Sequence, residues 1–164
     1  MTPASNTGAG KPRLFFVGVG NMGNPMAANL IRAGYTVSVF DKATEKTANL
    51  VSMGAVGVAS LAEGASQCDV VMASLPGPVQ VREVMLGEQG LISLLPAGTT
   101  IIDTSTSAAD LARELVAEAK QHGIDFLEAP ITNAIDAAAE GRLSVFVGGD
   151  ARCFDKHRPI FEVI

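Results

Sequence analysis

The stretch Phe15–Asp41, FFVGVGNMGNPMAANLIRAGYTVSVFD, decides the fold. It reads as a short apolar strand, a glycine turn, a helix, a second strand and a terminal acid. The glycines at 18, 20 and 23 match G-x-G-x-x-G, and Asp41 lies 23 residues after the first of them. A bare match of this kind arises by chance in any glycine-rich chain. The strand before it, the helix after it and the acid closing the next strand supply the context of a dinucleotide site. Gly18 lets the chain reverse tightly after Leu14–Val17, Gly20 leaves no Cβ between backbone and pyrophosphate, and Gly23 lets the helix pack closely on the strand. Val19, Asn21 and Met22 complete the turn, with Asn21 and Met22 expected to open the helix and Pro25 inside its first turn, where a missing N–H costs little. The helix then points its unpaired N–H groups and positive dipole end at the phosphates. Met22, Met26 and Leu30 form a stripe facing the sheet, and Gly34 is a natural stop. Tyr35–Asp41 alternates and is rich in strand formers. The same glycines would also serve a plain βαβ turn, but the position of the acid would then be coincidence.

Asp41 bears on the choice of cofactor. A carboxylate there accepts hydrogen bonds from ribose hydroxyls and repels a 2′-phosphate, which favours NAD over NADP. An NADP site more often has an arginine just after the strand; here Lys42 stands there and softens the repulsion. Asp41 also reads as the N-terminal residue of a helix running from Ala43.

The bulk composition bounds the rest. At 164 residues the chain suits one domain with its own core. Hydrophobic residues at 48% against 18% charged exclude a disordered chain. No apolar run approaches the roughly 20 residues of a membrane helix. Residues 1–12, MTPASNTGAGKP, lack an apolar core and read as a loose tail, leaving 13–164 as the folded domain. Cys68 and Cys153 belong to no paired motif, so a metal site or disulfide framework is not expected and a cytoplasmic setting fits. A net charge of −5 without a basic run argues against nucleic acid.

Strand and helix signals alternate to the end. Helices are expected at 43–53, 60–65 (where Ser60 and Glu63 have capping-box spacing), 78–86, 91–95, 107–122 and from 152. Strands are expected at 55–58, 69–75, 99–103, 124–127 and 143–147. The near-continuous apolar run DVVMASL (69–75) marks a parallel strand buried on both faces. The sum is an α/β, Rossmann-type, doubly wound and mainly parallel sheet.

Four motifs in order carry a resemblance: GVGNMGNPMAANL at 18–30, SLP at 74–76, IIDTSTS at 101–107, and EAPITNA with GRLSVFVGGD across 128–150. From Leu14 to Ile164 the chain resembles the N-terminal domain of the β-hydroxyacid dehydrogenases, the family of 3-hydroxyisobutyrate dehydrogenase and tartronate semialdehyde reductase. The resemblance implies hydride transfer between a nicotinamide cofactor and a small 3-hydroxyacid. Imine reductases share this first domain and are an alternative, as is a non-catalytic dinucleotide-binding module.

Leu75 and Pro76 end a strand at the carboxyl edge of the sheet, where ligands of such folds sit. The resemblance gives both to the cofactor, together with Gln80, where asparagine is common in the family. It gives Thr106 to the cofactor and Ser105 to the substrate, and hydroxyls suit a carboxylate because they donate without adding charge. Ser107 with Asp110 reads as the cap of the following helix. Where the family has A-P-V-S-G-G, this chain has Ala129, Pro130, Ile131, Thr132, Asn133 and Ala134. Thr132 keeps a hydroxyl, while Asn133 and Ala134 replace both glycines in what the resemblance makes a substrate-carboxylate site. That change points to a substrate of different shape, or Asn133 serves only a left-handed turn.

The resemblance also implies a second, all-helical domain that carries the catalytic lysine and the subunit contacts of a homo-oligomer. The lysines here, at 11, 42, 46, 120 and 156, do not match it, so no catalytic residue is expected within these 164 residues. His122 and His157 read as surface residues at helix ends.

Overall fold

The structure, a computed structural model, describes residues 10–132 and 134–164. Nine residues of the expected tail, 1–9, and the expected substrate residue Asn133 lie outside the described residues.

Six parallel strands form the main sheet: β1 (Leu14–Val17), β2 (Val37–Phe40), β3 (Val56–Gly57), β4 (Val70–Ala73), β5 (Thr100–Asp103) and β6 (Asp125–Glu128). Their spatial order is β3-β2-β1-β4-β5-β6. The order reverses between β1 and β4, so this sheet has its switch point where Val17 and Ala73 end side by side. Alternation along each strand divides its side chains between two cores. Leu14, Phe16, Val70, Met72, Ile102 and Leu127 face one side, where they meet Met26, Ala27 and Leu30 of α1 (Gly23–Arg32). Leu50 of α2 (Ala48–Ser52) joins that side. Phe15, Val17, Val71, Ala73, Ile101 and Phe126 face the other. That side is covered by α3 (Leu61–Ala65), α4 (Pro78–Leu86), α5 (Leu91–Leu94) and α6 (Ala109–Gln121). The doubly wound sheet expected from the sequence is present.

Three boundaries differ from expectation for physical reasons. The segment 43–53 is not one helix: a 3₁₀ turn, Thr44–Thr47, precedes α2. Helix α1 begins at Gly23 instead of Asn21, because Asn21 and Met22 belong to the glycine turn. Helix α6 begins at Ala109 after an extended Ala108, so Ser107 stands one residue too early to cap it, and its buried hydroxyl has no hydrogen-bond partner among the described residues.

Residues 131–164 add a lobe that periodicity only partly anticipated. β7 (Ile131–Thr132) and β8 (Ser144–Val145) pair antiparallel outside the main sheet, with α7 (Ile135–Ala139) between them. The expected strand 143–147 is thus short and off the sheet. Helix α8 (Ala151–Phe161) starts at Asp150, whose carboxylate accepts the N–H groups of Arg152 and Cys153. It packs Cys153 and Ile160 into the α1 core, and Ile164, past its end, joins them. His157 of this helix is not a surface residue. It is 3% exposed, and its Nε2 lies 2.9 Å from the hydroxyl oxygen of Thr100 at the start of β5. Burial there holds its pKa down at about 4. His122 does sit exposed at the end of α6.

Candidate functional site

A cleft of about 560 Å³ opens at the switch point, above the carboxyl ends of β1, β2 and β4. Its floor is the glycine turn. Gly18 has φ +84°, and a Cβ there would overlap the carbonyl oxygen of Ser74, the residue that continues β4. A Cβ on Gly23 would overlap the carbonyl oxygen of Gly18. Both positions are therefore fixed by backbone packing. Gly20 differs, because a Cβ built on it has nothing within 4 Å. Its missing side chain leaves space open to the cleft, in front of a helix with no acid in its first turn. First-turn N–H groups and a bare backbone approach are what a pyrophosphate requires.

Asp41 closes one end of the cleft. One carboxylate oxygen accepts the N–H of Val19 at 3.0 Å and the other that of Ala43 at 2.9 Å. The side chain thus ties the glycine turn to the end of β2 and also starts the 3₁₀ segment. Each oxygen keeps a second lone pair for a further donor. Val19 itself is 1% exposed and serves through its backbone. The neighbouring wall is pinned by Asn24 and Asn49, whose amides exchange two hydrogen bonds at 2.9 and 2.8 Å. Asn24 also donates to the carbonyl of Lys46.

The opposite wall comes from the loop after β4 and from α4. Leu75, Pro76 and Gln80 line the cleft, and so do Glu83, Val84 and Gly87. Gln80, Glu83, Val84 and Gly87 are spaced i, i+3, i+4, i+7, which puts them on one helix face. That periodicity, counted from Gln80, was a signal in the sequence for the last three. Leu61 and Phe40 add apolar surface suited to a base.

The structure therefore gathers Gly18, Gly20, Asn21, Met22, Gly23, Asp41, Leu75, Pro76 and Gln80 around one cleft. It does not bring Ser105, Thr106, Thr132 or Ala134 to that lining. Thr106 is exposed in the loop before α6, Thr132 is exposed on β7, and Ala134 is exposed at the start of α7. Ser105 is 4% exposed, and its hydroxyl oxygen accepts the Leu75 N–H at 2.9 Å. Its hydroxyl and amide also hydrogen-bond the buried Asp103. Ser105 thus couples the loops after β4 and β5. Asp103 is 2% exposed, and burial lifts its pKa to about 6, helped by the nearby Glu128 and opposed by the Ser105 hydrogen bonds.

Among the described residues no group of three or more His, Cys, Asp or Glu side chains is placed to hold a metal, and no helix is long and apolar enough to cross a membrane.

Comparison with known proteins agrees with this geometry. The sequence profile of the NAD binding domain of 6-phosphogluconate dehydrogenase matches residues 13–164. An NAD-dependent L-serine dehydrogenase of Pseudomonas aeruginosa is 38% identical over 152 residues, which are 93% of this chain and 51% of that protein. A 3-hydroxyisobutyrate dehydrogenase of the same organism is 39% identical over 147 residues, 90% of this chain and 49% of that one. The solved structure of Psf3 in complex with NADP+ and 2-OPP superposes with a TM-score of 0.88 at 28% identity, covering 92% of this chain and 53% of that one. The chain spans about half the length of the curated relatives it matches. With a Rossmann-type sheet, a glycine-floored cleft at its switch point and a profile match from residue 13 to 164, this chain belongs to the family of the NAD binding domain of 6-phosphogluconate dehydrogenase.

Proposed function

We propose that this chain is the dinucleotide-binding part of an oxidoreductase acting on a small 3-hydroxyacid of the 3-hydroxyisobutyrate or tartronate semialdehyde/glycerate type, with NAD as the preferred cofactor. The observation that carries the reading is the open approach at Gly20, set between the N-terminus of α1 and the fixed carboxylate of Asp41. Bound nicotinamide would supply the hydride chemistry. The residues of this chain hold and orient the cofactor: the turn 18–23 takes the pyrophosphate, Asp41 the ribose, and Phe40, Leu61 and Val84 the base. Leu75 and Pro76, tied through Ser105 to the loop after β5, form the wall on the nicotinamide side. Thr106 is assigned to the cofactor, Thr132, Asn133 and Ala134 are assigned to the substrate, and Ser105 acts for the substrate by positioning. The lysine that moves the hydroxyl proton is assigned to the part of the relatives' length that this chain does not span. The names of the relatives and the preserved motif order support the hydroxyacid reading over the imine one.

Both free cysteines are buried, and burial pushes the Cys68 thiol up to about 11, in keeping with a reducing cytoplasm. Calorimetric titration with NADH and, separately, NADPH tests the reading. Saturable binding with NADH the tighter is expected. Uptake of neither dinucleotide overturns it.

A further inference from the structure

The ribose end of the cleft carries more charge than Asp41 alone. Lys42 follows Asp41 directly and also lines the cleft. Across the opening, on the cleft face of α4, stands Glu83. The Lys42 Nζ donates to Glu83 Oε1 at 2.9 Å, joining residues 41 positions apart in sequence. Asp41 cannot swing away from this place, because backbone N–H groups hold both its oxygens. A 2′-phosphate entering here meets one immobile carboxylate and a second carboxylate that already occupies the adjacent cation.

We propose that Glu83 is a specificity-determining residue: by pairing with Lys42 across the cleft mouth it withdraws that cation from the cofactor's 2′-position and turns the site toward NAD. This rests on the dinucleotide reading above. The side chains of Lys42 and Glu83 are 71% and 58% exposed, so the pair is a weak, salt-screened interaction. Its effect on folding is small. Its effect on selectivity is larger, because a 2′-phosphate must displace Glu83 from Lys42 and then remain beside its negative charge. A cofactor with a free 2′-hydroxyl meets neither obstacle. Lys46, which also lines the cleft, makes no ion pair among the described residues and supplies general attraction for phosphates.

The test uses the 164-residue chain, Glu83→Gln and the double variant Glu83→Gln/Lys42→Met, each titrated with NADH and NADPH at low ionic strength. Glu83→Gln is expected to tighten NADPH by about fivefold with NADH little changed, the scale of an exposed ion pair. The double variant is expected to return the NADPH to NADH ratio to that of the unsubstituted chain, and 0.5 M salt to erase the gain. Intact NADH binding with a ratio within about twofold in Glu83→Gln overturns the proposal alone. So does a gain that survives Lys42→Met. If the unsubstituted chain takes up neither dinucleotide, the cofactor reading falls and the proposal falls with it.

Discussion

At the amino ends of the strands, polar side chains pair with one another, whereas at the carboxyl ends of β1, β2 and β4 the glycine turn and Asp41 line a cleft. Arg13, before β1, meets Asp69, before β4, through its backbone N–H and its guanidinium, and the guanidinium holds the Asp69 carboxyl below its ordinary range. His157 and Thr100 close the start of β5. At the other edge, Gly20 meets nothing, and α1 begins without a side-chain cap. Parallel strands bring all their carboxyl ends to one edge, and ligands of such sheets bind there. The amino edge is free to be sealed for stability. The difference separates residues that hold the fold from residues that we propose hold a ligand, even within one motif.

The largest effect should come from splitting the glycine turn along that line. Gly23→Ala places a Cβ against the Gly18 carbonyl and Phe16, so the backbone must move, at a cost of about 3 kcal/mol or more. Gly20→Ala meets open space and should change unfolding free energy by less than about 1 kcal/mol. Gly20→Val should keep the same melting transition while NADH affinity drops by about 100-fold or more, since its side chain occupies the place of the pyrophosphate. Urea unfolding and calorimetry read the two quantities separately. Equal destabilisation by Gly20→Ala and Gly23→Ala would erase the distinction between them.

The next effect sharpens the amino edge. His157 has a folded pKa near 4 against an ordinary 6.5. The unfolded chain therefore takes up the proton first, and stability falls as pH drops from 6.5 toward 4. Between pH 7 and 4.5 this amounts to about 2 kcal/mol. Urea unfolding of His157→Gln at the two pH values should lack that loss. An unchanged acid slope would mean that the imidazole is already charged in the fold.

These two edges were not equally legible in the sequence. The turn 18–23, Asp41, the apolar run 69–75 and helix 78–86 have strong local signals: a fixed glycine spacing, a buried parallel strand, and proline at a helix start. Their neighbours in space follow from the chain path alone. His157 gave no such signal, because its hydrogen-bond partner Thr100 lies 57 residues away. A polar residue in a helix reads as exposed until its partner is known. Ser105 read as a substrate residue, whereas its buried hydroxyl accepts the Leu75 N–H, a bond that depends on two loops meeting. Strand β8 fell within the expected 143–147, but its partner β7 escaped because a two-residue strand carries too little periodicity to be told from loop.

The smallest effect lies at the carboxyl edge and runs the other way. Asp103 is buried like His157, but it is an acid, so burial raises its pKa to about 6 from an ordinary 3.8. The folded state then takes up the proton before the unfolded one, and stability rises as pH falls from 7 through 6 toward 4. The gain by pH 4.5 is about 1–2 kcal/mol, which nearly offsets the loss at His157. The intact chain should therefore look almost insensitive over this range as far as these two groups decide it. Asp103→Asn removes the rising component and leaves the falling one. Its stability should drop by about 1–2 kcal/mol more than that of the unsubstituted chain between pH 7 and 4.5. Urea unfolding at both pH values checks this, and parallel profiles for the two proteins would show that Asp103 stays ionised. Because Asp103 also holds Ser105, and Ser105 the Leu75 amide, the same variant should loosen the loop 74–77. Amide exchange at Leu75 reports that change, and it should leave the pairing of Arg13 with Asp69 at the far edge untouched.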